Sequence, residues 1–311
     1  MTESNADIQW YSDSHRRVAY RQWLVPSPKV VIHIVHGMAE HSGCYDDVAR
    51  LLNVAGFSVF AHDHCCHGEN VAIDELGVVS DSQNWDYILK DMLSLNTLMR
   101  DAYLETPLAI LGHSMGSFIA QRFAQEHPDR ADFLLLEGSS LEPRWLTLAA
   151  RWIATFECVR QGPNGQSPVL HALTFGGFNR AIKNPRTAFD WVSRETAFVD
   201  AYLHDPRCGV QVSNAFWRDM FGFLNTLYSR QSLHQLRPET PVYLFSGDRD
   251  PVGHNGKGVK KLAAWLRAYL TNVTVKLYPE ARHDVLHEIN QSEVIEDLIS
   301  WLRHQQGITT H

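Results

Sequence analysis

The sequence predicts an α/β fold: a mostly parallel central sheet flanked by helices, with an inserted helical cap. Three observations predict it. From residue 30 to residue 136 short apolar runs alternate with longer stretches of helical spacing, and the alternation resumes at Pro241. Between them lies a segment without the alternation, broken by Gly162, Pro163, Gly165, Gly176, Gly177, Pro185 and Pro206. A strand-helix-strand series needs crossover connections, so the strands should run parallel with helices on both faces of the sheet.

Element by element, Val30 to Val35 reads as a buried strand, Asp46 to Ala55 as a helix and Phe57 to Ala61 as the next strand. Trp85, Ile88, Leu89, Met92, Leu95 and Leu98 recur at intervals of mostly three and four, which predicts an amphipathic helix over Trp85 to Tyr103. Leu108 to Leu111 is then a strand, Met115 to Glu126 a helix and Phe133 to Leu136 a strand. After the interruption come a strand at Val242 to Phe245, a helix at Lys257 to Leu270, a strand at Val273 to Leu277 and a closing helix at Val294 to Arg303. The expected division is a first core segment at 1–140, a cap at 141–235 and a second core segment at 236–311. The cap is rich in aromatic residues, Trp145, Phe178 and Trp217 among them, which suits an apolar pocket as well as the core of a small helical subdomain.

Composition bounds the function. The chain has 311 residues, 44% hydrophobic and 20% charged, enough for a sizeable core. Its 28 Lys and Arg against 35 Asp and Glu give a net charge of −7, with no basic excess to neutralise phosphates, so nucleic-acid binding is excluded. Five cysteines form a sparse, odd set that fits reduced thiols, and no structural disulfide is expected. Met1 to Tyr20 is polar and lacks the apolar core of a secretory signal, and no apolar run approaches the roughly 18 to 20 residues that span a bilayer. The expected address is cytoplasmic.

The sharpest motif is Gly112-His113-Ser114-Met115-Gly116, a Gly-x-Ser-x-Gly between a predicted strand and a predicted helix. A serine on so sharp a turn needs small neighbours, and the helix that follows points its N-terminus at developing negative charge. A serine hydroxyl needs a base, and the base an orienting acid. Val242 to Phe245 runs into Ser246-Gly247-Asp248-Arg249-Asp250, and Val273 to Leu277 into Tyr278 through His283, so an acid and a histidine each follow a strand end. The order Ser, Asp, His is that of an α/β-hydrolase. Asp250 is the chosen acid; Asp248 pairs with Arg249 or with its own turn. The first strand ends in His36-Gly37-Met38-Ala39-Glu40-His41, whose Met38 amide, with that of Met115, is expected to form an oxyanion hole.

Together these blocks resemble the monoacylglycerol lipase and lysophospholipase branch of the α/β-hydrolases: His36 to Ser42 with Tyr45, Gly112 to Gly116, Gly247 to Asp250, and Tyr278 to His283. The resemblance covers about two thirds of the chain. It implies Ser114 as nucleophile, Asp250 and His283 as its partners, and a helical cap over an acyl-binding tunnel. Two positions depart from it. Cys44 stands where the family usually carries an Arg that helps hold a polar head group. Asp63-His64-Cys65-Cys66-His67-Gly68 replaces Asp-His-Arg-Gly-His-Gly, so Cys66 occupies a glycine position and the loop is expected to be rebuilt if that position needs positive φ.

The expectation is therefore a serine esterase or lipase that hydrolyses single-chain acyl esters, of the monoacylglycerol or lysophospholipid class, through an acyl-enzyme and without a cofactor. Glu40, His41, Trp145, Phe178 and Trp217 are the expected substrate-binding residues, and the cap is the expected point of any peripheral membrane contact. The alternatives are a metal-dependent hydrolase using the dense run from His62 to His67, and a binding protein that keeps the fold without chemistry.

Overall fold

The computed structural model describes residues 6–12, 16–80 and 83–307. Its strands are β1 (Gln9–Ser12), β2 (Arg17–Trp23), β3 (Val30–Val35), β4 (Phe57–His62), β5 (Leu108–His113), β6 (Phe133–Glu137), β7 (Val242–Gly247) and β8 (Val273–Tyr278). They form one sheet in the order β1-β2-β4-β3-β5-β6-β7-β8. From β4 through β8 every pairing is parallel, as the strand-helix series predicts. The N-terminal β1 and β2 add an antiparallel edge that the polar reading of Met1 to Tyr20 did not anticipate. Met1–Asn5 and residues 13–15 of that segment lie outside the described residues.

The central strands are buried on both faces, and alternate residues serve opposite layers. Val31, Val35, Leu108, Ile110, Leu134, Leu136, Val242 and Leu244 pack under α2 (Ile88–Ala102), α3 (Met115–Glu126) and α9 (Lys257–Arg267). Ile32, Ile34, Ala109, Leu111, Leu135, Tyr243 and Phe245 pack under α1 (Asp46–Val54) and α10 (Gln291–Gln305). A sheet covered on both sides has no solvated face, so its strands read as nearly continuous apolar runs.

Between β6 and β7 the chain forms α4 (Arg144–Gln161), α5 (Pro168–Leu173), α6 (Thr196–His204), α7 (Asn214–Leu227) and α8 (Arg230–Leu233). Gly162, at φ 87°, ends α4, and Ser213 starts α7 by accepting a hydrogen bond from the Phe216 amide. Phe216, Trp217, Met220 and Leu224 of α7 continue the core layer of α2 and α3, so these helices are seated on the sheet domain through apolar packing. Among the described residues no helix is long and apolar enough to cross a membrane.

Candidate active site

Ser114 sits between β5 and α3 at φ 50° and ψ −119°, a conformation that costs a non-glycine residue about 1–3 kcal/mol. Its neighbours make the turn possible. A Cβ on Gly116 would overlap the Val35 carbonyl, and one on Gly112 would overlap Gly116 itself. The Ser114 amide is anchored to the Glu137 carbonyl at 2.9 Å. The glycines of the motif are thus required by close backbone packing, Gly116 of α3 against β3 and Gly112 of β5 against the first turn of α3.

His283 follows β8, and its Nδ1 lies 2.9 Å from Asp250 Oδ1. Asp250 is fully buried and accepts further hydrogen bonds from Ser246 Oγ at 2.9 Å and the Val252 amide at 2.8 Å. Burial opposes its ionisation, but His283 and these donors more than offset that and hold the carboxyl below its ordinary range. Asp248 takes no part: its Oδ1 accepts the Glu280 amide at 2.8 Å. His283 Nε2 is buried and has no hydrogen-bond partner among the described residues. Ser114 and His283 line the same cavity, but the hydroxyl-to-imidazole hydrogen bond is not made; such bonds often tighten only when substrate is bound.

The loop beside Ser114 is set by His36. Its Nε2 accepts the His64 amide at 3.0 Å, so Nδ1 carries the proton and donates to the Gly37 carbonyl at 2.7 Å. A trans peptide puts the carbonyl of one residue and the amide of the next on opposite sides, so the Met38 N–H points away from His36. Neither the Met38 nor the Met115 amide donates to a protein acceptor among the described residues, and both residues line the cavity.

The cavity encloses about 380 Å³, in the size range of small-ligand sites, and its wall is overwhelmingly apolar. Phe178 and Trp217 line it, with Leu146, Ile153, Phe175, Trp191 and Phe221. The other three expected substrate contacts are placed differently. Glu40 reaches the wall, but its Oε1 accepts from the Gly37 amide and from Tyr45 Oη at 2.7 Å, which makes it a positioning residue for the loop. Burial pushes its carboxyl up to about 8, with Cys44 and Asp284 adding to the effect. His41 does not line the cavity; its Nε2 faces Asp205 Oδ2 at 2.9 Å. Trp145 is 70% exposed on the outer face of α4.

Nor does the run from His62 to His67 converge on one point. His62 Nδ1 pairs with His33 Nε2 at 2.9 Å, His64 Nε2 with the His36 carbonyl at 3.0 Å, and His67 Nδ1 with the Cys65 carbonyl at 2.9 Å. These are structural partners of buried rings, and they leave no shared ligand geometry. Cys66 keeps the turn rather than rebuilding it: its φ is 63°, and the left-handed residue is held by Gln83 on both its amide and its thiol.

Sequence reasoning missed three supports. Gly138 (φ 60°) admits the imidazole, because a Cβ there would lie 2.9 Å from His283 Cε1. Glu137 anchors the histidine loop through the Val285 amide at 2.8 Å and also binds His113 Nδ1. Trp191 packs its ring against that of His283, with centroids 5.2 Å apart. Only the glycine after a strand end was a local signal.

The histidine loop carries a buried ion pair, Asp284 Oδ2 with His287 Nδ1 at 2.8 Å. Burial alone would lower His287, but Asp284 overrides it and raises the imidazole to about 9, while Asp284 itself falls to about 2. The raised base stabilises the fold fully below its unfolded value near ~6.5, and that contribution is lost as pH climbs through about 9. The depressed acid contributes above ~3.9, and its share is lost as pH falls towards about 2. Urea unfolding from pH 4 to 10 is expected to show stability falling between pH 6.5 and 9, by on the order of 2–3 kcal/mol from His287. His287→Asn should be less stable at pH 6 and flatter over that interval; an unchanged slope would refute the assignment.

Against this geometry stand the comparisons. A family model described as Hydrolase_4, serine aminopeptidase S33, matches residues 26–290. The chain is 31% identical over 285 residues to the monoglyceride lipase of Homo sapiens, covering 85% of this chain and 82% of that protein. It is 26% identical to the monoacylglycerol lipase of Mycolicibacterium smegmatis, covering 92% of each. Among solved structures it is similar to a thermostable carboxyl esterase from Bacillus coagulans in complex with glycerol, with TM-score 0.84 and 25% identity over 96% of this chain and 98% of that one.

Proposed function

The chain belongs to the serine aminopeptidase S33 family of α/β-hydrolases, and from that membership we propose that it is a serine ester hydrolase acting on monoacylglycerols and similar single-chain acyl esters. The observation that carries the reading is an apolar cavity whose wall holds Ser114, His283 and two undonated amides together. Ser114 Oγ attacks the ester carbonyl while His283 Nε2 takes its proton. Asp250 holds the opposite ring nitrogen, fixing the tautomer and offsetting the imidazolium charge. The Met38 and Met115 amides receive the oxyanion. His283 then protonates the departing alcohol, and water repeats the sequence on the acyl-enzyme. Nucleic acid has no place in this reading, and the cytoplasmic address expected from the cysteine set goes with it.

Peripheral membrane contact belongs to the same proposal. Trp145, Trp152, Phe156 and Val159 form one stripe on the outside of α4, and Trp152 is 74% exposed. Arg144 and Arg151 interleave with them, the pattern of a helix lying in a lipid interface.

One assay tests both parts. Each buried methylene contributes about 0.8 kcal/mol, so kcat/KM on p-nitrophenyl esters should rise at least about tenfold from acetate to octanoate. Preference for acetate would overturn the acyl pocket. Trp152→Ser should slow hydrolysis of monoacylglycerol presented in vesicles while leaving the soluble octanoate ester unchanged; equal rates on vesicles would remove the membrane contact.

A further inference from the structure

His41, Cys44 and Cys208 lie outside the cavity wall and have no part in the reaction described above. Cys44 is in the turn after the His36–His41 loop, and Cys208 is in the segment that joins α6 to α7, 164 residues away along the chain. One ligand atom from each of the three comes within 4.8 Å of the others, and the two sulfurs are 3.6 Å apart. From these positions we propose that His41, Cys44 and Cys208 form a zinc-binding site that ties the cap to the oxyanion loop.

The separation of the sulfurs is the first argument. Two Zn–S bonds of ~2.3 Å at a tetrahedral angle hold their sulfurs ~3.8 Å apart, a few tenths of an ångström from the observed spacing. A disulfide requires ~2.05 Å and a much larger movement of both loops. The histidine supplies the second argument. Its Nε2 is matched to Asp205 Oδ2 at 2.9 Å, the carboxylate-histidine arrangement that fixes the ring of a zinc-bound imidazole and raises its basicity. Nδ1 is then the ligating nitrogen. It now accepts the Gly43 amide at 3.1 Å, a long hydrogen bond that the ion replaces.

Two thiolates and an imidazole suit a soft or borderline cation such as Zn²⁺ and discriminate against Mg²⁺ and Ca²⁺. Cys44 and Cys208 are half-buried residues while His41 is buried, so the histidine is the fixed inner ligand and the two cysteines lie nearer the surface. Three protein ligands leave a fourth position for water. Binding releases the thiol protons and changes no oxidation state. The seam it ties is next to the cavity: the Gly209 amide donates to the Ala39 carbonyl at 2.9 Å, and Tyr202 Oη donates to the same carbonyl at 2.8 Å.

The test reads binding directly and so does not depend on the esterase reading. The reduced full-length chain, freed of metal by a chelator, is titrated with Zn²⁺ against a competing chromophoric chelator, and separately with Co²⁺. The expected result is one ion per chain, a dissociation constant below about 1 μM, and a thiolate-to-cobalt charge-transfer band. Cys44→Ser and Cys208→Ser should each weaken Zn²⁺ binding at least about 100-fold and abolish the band, while Cys158→Ser, on α4, changes neither. A melting temperature raised by Zn²⁺ in the unmodified chain but not in these two variants would further support it. No stoichiometric binding by the reduced chain, or binding that survives both substitutions, would overturn the proposal. So would thiol titration showing that Cys44 and Cys208 form a disulfide in the presence of reductant.

Discussion

Replacing Ser114 with Ala is expected to lower ester turnover by about 10⁶-fold and to abolish labelling by a fluorophosphonate probe, with the fold retained. The magnitude follows from the site. The hydroxyl is the only proposed nucleophile, and its loss leaves His283 Nε2 on the cavity wall with no proton to take. The two amides and the apolar wall would still bind the ester, which accounts for a residual rate above that of water alone. Alanine accepts the φ of 50° about as badly as serine does, so unfolding curves of the two proteins should nearly coincide. The same experiment judges the alternatives. Turnover that survives the substitution and falls with a chelator would favour a metal-dependent hydrolase, and an unmodified chain that neither labels nor turns over would favour a binding protein.

Much of this architecture was legible because the sheet is covered on both faces. Buried strands such as Val30–Val35 announce themselves as apolar runs, and the helices between them keep a single apolar stripe. The strands were nevertheless read too short at one end. β4 extends to His62, β5 to His113, β6 to Glu137 and β7 to Gly247, each beyond its apolar run. These polar residues are buried through hydrogen bonds made by distant partners, such as His62 with His33 and Glu137 with Val285, which hydrophobic patterning does not register. β2 escaped for a related reason: Arg21 is buried within it, its guanidinium donating to the Ala6 carbonyl at 2.5 Å.

The site divides along the same line. Ser114, Asp250 and His283, each at a strand end, were singled out because their chain order carries chemical meaning, and the structure sets Asp250 against His283 and puts Ser114 and His283 on one cavity wall. Residues chosen by proximity to a motif or by side-chain type were not reliably directed. His41 ends the loop that begins at His36 but turns to Asp205. Trp145 is on α4 together with Leu146 and Ile153, yet those two face the cavity while it points outward; composition alone does not give the rotation of a helix that is apolar on more than one side. Gly138 and Trp191 owe their importance to His283, far along the chain; only the position of Gly138 just after a strand end marks it locally, and no local pattern marks Trp191.

The choice between two carboxylates yields the other large effect. Asp250→Asn is expected to reduce kcat by about 10⁴-fold with little change in KM, whereas Asp248→Asn should stay within a few-fold of the unmodified enzyme. The carboxylate of Asp250 can only accept, so it keeps the proton of His283 on Nδ1 and leaves Nε2 free to act as base. An amide in its place can present an N–H to Nδ1, which moves the proton to Nε2 and removes the base without moving the ring. Ser246 Oγ and the Val252 amide remain to hold the substituted side chain, so the loss belongs to chemistry and not to collapse of the loop. Asp248 accepts the Glu280 amide, a role that the carbonyl oxygen of Asn reproduces, and it faces Arg249 at 3.7 Å in an exposed ion pair of the kind that contributes little. Steady-state kinetics on the octanoate ester, with fluorophosphonate labelling rates as a second readout, distinguish the outcomes. Equal losses in the two variants, or an Asp250→Asn enzyme that labels at the unmodified rate, would remove Asp250 from the relay and leave His283 without its orienting acid.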